Sequence, residues 1–338
     1  MEKENKYVLQ YPSIMKGKKI LYVHGFMSSA QSGTVSRIRE MLPSADVIAY
    51  DLPLHPEEAM QLLRKVCEEQ KPDLVIGTSM GGMYTEMLYG YDRILVNPAF
   101  LMGDTMTKHG MLGKQTFQNP RQDGVQDFIV TKSLVEEYKN ITRQCFSDVT
   151  DEEKKRVYGL FGDADTMVAA ETWGVFLEHY PQAISYHGEH RLIDKSLIHA
   201  VVPVVRWIDD MQEGRERPIV YVSIDALRDE RGGQKPSAMK GFHKLIEDYS
   251  VYVVAPSPTN DTEYIPSAQQ WIKDVVNVPA WQHVVFSNQE NLLYGDYLIA
   301  PERECGESKF MGTTIALGSD TFKTWDEIIE FFERLGGQ

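Results

Sequence analysis

Along residues 18–212, short apolar runs alternate with stretches whose apolar positions recur every three or four residues. The first pattern marks strands buried on both faces, and the second marks helices packed along one stripe. Strands are predicted at residues 19–23, 46–50, 73–77, 93–96, 156–161 and 183–187. Helical spacing appears at Val35, Ile38 and Met41, then over residues 56–69, 80–89, 168–180 and 197–211. Such alternation implies right-handed crossovers and a parallel sheet covered by helices on both faces. Ligands bind these sheets at the carboxyl ends of the strands, the edge on which His24, Ser79 and Asn97 fall.

The alternation stops between Phe100 and Cys145, where the chain is polar and rich in Met, Gly and Lys, with one amphipathic helix predicted over residues 131–141. An excursion of this length reads as a lid, as a substrate wall, or as a plain surface insertion. The charged stretch D-D-M-Q-E-G-R-E-R-P, Asp209 to Pro218, reads as a linker and divides the chain into domains at 1–212 and 213–338. A second α/β pattern follows. Strands are predicted at residues 219–224, 251–254, 283–286 and 297–299, with a short apolar run at 313–317, and helices at 238–249, 267–276 and 325–335. The expected fold class is α/β throughout, a larger domain followed by a smaller three-layer one.

Charge narrows the partners. The 338 residues carry 35 Lys+Arg against 49 Asp+Glu, a net charge of −14, which argues against a nucleic-acid or anionic-membrane surface and leaves small molecules or proteins. Cys67, Cys145 and Cys305 lie far apart with no C-x-x-C pair, so neither a disulfide framework nor a thiolate metal site is expected. The N-terminal M-E-K-E-N-K is charged, and no run approaches about 18 apolar residues, so a cytoplasmic protein is expected. No cofactor is called for, and the oligomeric state is left open.

The chemistry centres on Lys71 to Tyr84, K-P-D-L-V-I-G-T-S-M-G-G-M-Y. A strand breaks into a helix at Ser79, and Gly77 and Gly81 flank it in the G-x-S-x-G spacing of a nucleophile elbow. A serine hydroxyl attacks only when a histidine takes its proton and a carboxylate orients that histidine. Asp163, Asp165 and His190 all follow strands and would reach the same edge, in the chain order Ser, Asp, His. His190 is the favoured base, because His187 falls within its strand and His199 within the closing helix. His24 is expected to shape the loop after the first strand. The oxyanion donors expected of such a turn are the backbone N–H groups of Met80 and of Phe26 in H-G-F, with Ser28 and Ser29 as polar neighbours.

Residues 18 to about 212, with V-H-G-F, G-T-S-M-G-G, the N-P after the next strand, G-D-A-D-T-M-V and G-E-H-R-L, resemble the small bacterial α/β-hydrolase esterases of the YqiA/YcfP type. The resemblance implies a metal-free serine hydrolase of small carboxylic esters or thioesters with an acyl-enzyme intermediate. It favours Asp165 over Asp163 as the acid, because G-D-A-D-T-M-V matches the family's G-x-x-D-x-x-V turn.

Residues 218–338 resemble haloacid-dehalogenase-like (HAD-like) phosphatases, particularly the deoxyribonucleotidase branch, through I-V-Y-V-S-I-D-A-L, V-Y-V-V-A-P-S, N-L-L-Y-G-D-Y-L-I-A-P and G-T-T-I-A-L-G-S. The matching positions read Ser223 for the nucleophile and Asp225 for the acid. Ala255 stands for the hydroxyl, with Ser257 two beyond, and Glu290 or Asn291 for the lysine. Ala300-Pro301 replace the metal carboxylates, with Glu302 and Glu304 just past them. The implied role is therefore structural or ligand-binding. The alternatives are a divergent phosphatase, making the protein bifunctional, and a non-enzymatic ligand-binding or scaffold protein.

Overall fold

In a computed structural model that describes residues 5–168, 170–306 and 308–335, β1 (Lys19–Val23) lies between β2 (Asp46–Ala49) and β3 (Leu74–Thr78). β4 (Arg93–Val96), β7 (Val157–Gly162) and β8 (Ala183–Tyr186) extend the sheet on the β3 side, in the order β2-β1-β3-β4-β7-β8 with every pairing parallel. Ile20, Leu21, Val75, Ile76, Ile94 and Leu95 are fully buried, as runs covered on both faces must be. Local signals start and stop the helices. Pro56 opens Pro56–Gln70 with Glu57 and Glu58 in its first turn, and Ser32 caps Gly33–Met41 through Val35 N–H.

The chain divides into two compact units, Met1–Met211 and Gln212–Gln338. The stretch read as a linker starts later than expected. The closing helix opens as a wide turn, Leu197–Val201, and runs as an α-helix from Val202 to Glu213, with Val204, Val205 and Ile208 facing the core. Asp209 is buried in it and accepts from Lys18 Nζ at 2.7 Å, so only residues 214–218 lie outside regular structure before the next strand. The packed apolar face of Val204, Val205 and Ile208 carries the helix through Asp209 and Asp210 in spite of the weak helix propensity of aspartate.

The excursion after β4 is a folded subdomain. It contains the helix Met102–Lys108, the antiparallel hairpin β5 (Gly113–Thr116) and β6 (Asp127–Val130), and the helix Lys132–Thr142. Thr131 caps the last through Leu134 N–H at 3.1 Å, and Leu134, Val135, Tyr138 and Ile141 bury its apolar stripe. The first helix and the hairpin were not expected, because the hairpin buries almost nothing and has no alternating pattern to read.

In the second unit, β9 (Ile219–Ser223), β10 (Ser250–Ala255), β11 (Val284–Phe286), β12 (Tyr297–Pro301) and β13 (Thr313–Leu317) form a parallel sheet in the order β11-β10-β9-β12-β13. The apolar run at 313–317 is its edge strand. Trp325, at the start of the helix Trp325–Leu335, is buried and donates its indole N–H to Ala226 O at 2.8 Å.

Candidate active site

Ser79 stands between β3 and the helix Met80–Glu86 with φ 56° and ψ −120°, a conformation that a residue with a side chain holds only when its surroundings enforce it. Two glycines make the turn possible. A Cβ on Gly77 would lie 2.3 Å from Gly81 O, and one on Gly81 would lie 2.1 Å from Val23 O, where no atom fits. The turn is locked by Ser79 N–H donating to Val96 O (2.9 Å) and by Ser79 O accepting from Met83 N (3.1 Å) and Ala99 N (3.0 Å).

Three loops on the carboxyl edge meet at the serine. His190 Nε2 lies 3.0 Å from Ser79 Oγ, and His190 Nδ1 lies 2.8 Å from Asp165 Oδ2. The other oxygen of Asp165 accepts from the Met167 N–H at 2.7 Å and the Val168 N–H at 3.2 Å. Burial pushes the Asp165 carboxyl up, but the hydrogen bond and charge of His190, with those two amides, outweigh it and hold the group below the ordinary carboxylate value. Asp163, the competing acid, instead accepts from the exposed His187 at 2.6 Å and from Gly188 N–H at 3.1 Å. His199 sits in the wide turn that opens the closing helix.

His24 is buried against the turn. Its Nδ1 donates to Gly25 O at 2.8 Å, and its Nε2 accepts from Leu52 N–H at 3.2 Å, an arrangement that requires the neutral ring. Burial lowers its pKa accordingly. The loop it holds passes close to the nucleophile, with a Cβ on Gly25 placed 3.3 Å from Ser79 Cβ. The amides of Phe26 and Met80 donate to no acceptor among the described residues, and Met80 opens its helix, where the N–H has no carbonyl one turn back. Ser28 accepts from Asn119 Nδ2 at 3.2 Å, while Ser29 is buried and accepts from Gln31 N–H at 3.0 Å.

Asn97, placed at this edge by the sequence but given no task there, ties the constellation together. Its Oδ1 accepts from Gly162 N–H at 2.7 Å, and its Nδ2 contacts Tyr186 Oη (2.9 Å), Glu189 O (3.1 Å) and His190 O (3.1 Å). One buried amide therefore joins the end of β7 to the loop that carries His190. Asn97→Ala would remove its hydrogen bonds to Gly162 N–H, Tyr186 Oη and the Glu189 and His190 carbonyls, at about 1 kcal/mol each. It is expected to lower kcat on a short ester by roughly 10- to 100-fold through loss of His190 placement. Steady-state kinetics alongside a thermal melt check this, and an unchanged kcat would remove Asn97 from the machinery.

The site opens into a cavity of about 790 Å³ lined by Ser79 and His190 and by Met102, Thr105, Met111, Gln118 and Asn119 of the excursion, which is thus a wall of the site. Phe26 packs edge-on against Phe128 and Tyr138, and Tyr138 Oη lies 3.2 Å from Met80 Sδ, so the loop after β1 and the turn at Ser79 both rest on it. Among the described residues, no group of three His, Cys, Asp or Glu is placed to hold a metal ion, and no helix is long and apolar enough to cross a membrane.

In the second unit, Ser223 ends β9, accepts from Asp225 N–H at 3.2 Å and donates to Glu304 Oε2 at 3.0 Å. Burial, with Asp225 and Glu290 nearby, raises the pKa of Glu304. Asp225 accepts from Arg228 Nε at 3.0 Å, and its backbone carbonyl accepts from Lys235 Nζ. Of the two glutamates past Pro301, Glu304 is the one that turns inward. Lys235 stands at a position that the sequence did not single out. Ala255 ends β10, Ser257 N–H donates to Asn288 Oδ1 at 2.8 Å, and Glu290 accepts from Ser308 Oγ at 2.5 Å.

Comparison with known proteins finds similar sequences and similar folds. Over 127 residues, 37% of this chain and 70% of the other, it is 22% identical to a Vibrio phage KVP40 protein provisionally named a 5'(3')-deoxyribonucleotidase. Among solved structures, Est1E from Butyrivibrio proteoclasticus with ferulic acid bound is 16% identical, over 59% of this chain and 90% of that one, with a TM-score of 0.39. A monoglyceride lipase variant from Saccharomyces cerevisiae is 12% identical over 59% and 88% of the two chains, with a TM-score of 0.43. The mouse alpha/beta hydrolase domain-containing protein 10 is 15% identical over 58% and 90%, with a TM-score of 0.39. Residues 19–203, more than half of the chain and all of the span from β1 to the closing helix that holds Ser79, Asp165 and His190, match the model of the uncharacterised protein family UPF0227, and the chain belongs to that family.

Proposed function

We propose that the first unit is a serine hydrolase that cleaves small carboxylic esters or thioesters through an acyl-enzyme. The observation that carries this is the unbroken chain Ser79 Oγ, His190 Nε2, His190 Nδ1, Asp165 Oδ2, with links of 3.0 and 2.8 Å, opening into a cavity. Ser79 Oγ attacks the carbonyl carbon while His190 Nε2 takes its proton, and Asp165 stabilises the imidazolium that forms. The amides of Phe26 and Met80 donate to the oxygen that becomes negative. Collapse expels the alcohol or thiol, which takes the proton back from His190, and water repeats the cycle on the acyl-enzyme. Labelling by a fluorophosphonate probe tests the reading: wild type is expected to label, Ser79→Ala is not, and equal labelling of the two would sink it.

For the second unit, the reading is a HAD-like domain without phosphatase chemistry, serving a structural or ligand-binding role. A strand order of 3-2-1-4-5 in chain sequence, with Ser223 where the nucleophilic carboxylate belongs, supports it. Ser223 is also engaged by the Glu304 carboxylate, to which its hydroxyl donates at 3.0 Å. Purified protein is expected to release no phosphate from deoxynucleoside monophosphates with Mg²⁺. Release that vanishes in Asp225→Asn and persists in Ser79→Ala would make the protein bifunctional.

A further inference from the structure

The walls of the active-site cavity differ in chemistry. Met102, Met111 and Met167 line it with thioethers, while Gln118, Asn119 and Arg191 give it a polar face next to the base. Two guanidinium groups line the cavity. Arg37 is matched by Asp194, with Nε to Oδ1 at 2.7 Å, and by Glu40. Arg191 is not matched: its polar contact is with the neutral Gln118 Oε1 at 3.0 Å, and it forms no ion pair with Glu189 or any other carboxylate among the described residues. Gln118 is itself held in place, its N–H donating to Met27 O at 2.8 Å, so this arginine rests on the hairpin tip and the oxyanion loop rather than on an opposite charge.

Resting on the hydrolase reading above, we infer that the substrate carries an anionic group, a carboxylate or phosphate, on its alcohol or thiol limb, and that Arg191 selects it. The side follows from the chemistry. His190 must return its proton to the departing atom, so the leaving group lies on the His190 face of the carbonyl, and Arg191 is the next residue along that loop. Its guanidinium has five N–H donors in a planar fork suited to two anionic oxygens, and Gln118 occupies only one of them. The methionine wall is left for the acyl chain, in a cavity of a size that holds a small organic ester.

The test uses the full chain and two matched ester pairs. One pair places the charge on the leaving group, 3-butyryloxybenzoate against its methyl ester, with 3-butyryloxyphenyl phosphate as the phosphate counterpart. The other places it on the acyl limb, 4-nitrophenyl hemisuccinate against 4-nitrophenyl butyrate. Wild type is expected to favour the charged leaving group and to gain nothing from the charged acyl limb. The anionic-to-neutral ratio of kcat/KM should fall at least about tenfold in Arg191→Gln, hold within a few-fold in Arg191→Lys, and rise in Glu189→Gln. A ratio unchanged in Arg191→Gln, or a preference that follows the acyl-limb charge, overturns the inference while Ser79-dependent hydrolysis of the neutral ester keeps the hydrolase reading intact. Failure of wild type to hydrolyse either leaving-group ester also overturns it, and absence of fluorophosphonate labelling at Ser79 then takes the hydrolase reading down with it.

Discussion

Ser79→Ala is expected to lower kcat on a short-chain ester by about 10⁴- to 10⁶-fold, because loss of the nucleophile disables the triad as a unit and leaves only binding and the oxyanion donors. The fold should survive. The turn is set by Gly77, Gly81 and backbone hydrogen bonds, from Ser79 N–H to Val96 O and from Met83 and Ala99 N–H to Ser79 O, none of which uses the hydroxyl. Steady-state assays with parallel far-UV circular dichroism separate the two effects. A variant that retains even a few per cent of wild-type kcat would move the nucleophile elsewhere. His190→Ala should fall with it, and combining the two should cost little more than either alone.

Asp165→Asn is expected to lower kcat by roughly 10³- to 10⁴-fold, although it changes one atom. The wild-type carboxylate accepts from His190 Nδ1–H, which leaves Nε2 as the acceptor facing Ser79. An amide that presents N–H to Nδ1 would reverse the tautomer and point Nε2–H at the nucleophile. The competing acid gives a control: Asp163→Asn should change kcat less than about threefold, because its partner His187 is exposed and makes a surface pair. A large loss in Asp163→Asn with none in Asp165→Asn would exchange their roles. A pH signature accompanies the change. Because the folded Asp165 carboxyl is held below its ordinary value, its contribution to stability is fully present above about pH 4 and is lost as pH falls through the folded pKa. The side-chain amide of the Asp165→Asn variant cannot titrate, so the stability gap between the two proteins should narrow in acid, as measured by denaturant midpoints across pH.

The elbow, the order of strands along the chain and the serine, histidine and aspartate that follow strands at one edge were legible in the sequence because each depends on neighbours within a few positions. Apolar runs buried on both faces announce strands, and Gly77 and Gly81 announce a turn that tolerates no Cβ. The choice between Asp163 and Asp165 is of another kind. Both follow β7, two residues apart, and only the closing of β8 beside it sends one to His187 and the other to His190. Asn97 shows the same limit, since its partners lie 65 to 93 residues away and an N-P after a strand is ordinary turn chemistry. Polar composition concealed the first helix and the hairpin of the excursion, where Phe128 packs on Phe117 and on Phe26 of a distant segment. The helical spacing read through Met211 overlaps the charged stretch that begins at Asp209, and what pairs with the buried Asp209 is Lys18, 191 residues earlier in the chain. What the sequence determined by itself was therefore local: period, turn chemistry and the polar residue types brought to the carboxyl edge. What only the tertiary structure decided was which polar groups meet, because a hydrogen bond between distant residues depends on two whole strands being in register, and no short window of residues encodes that.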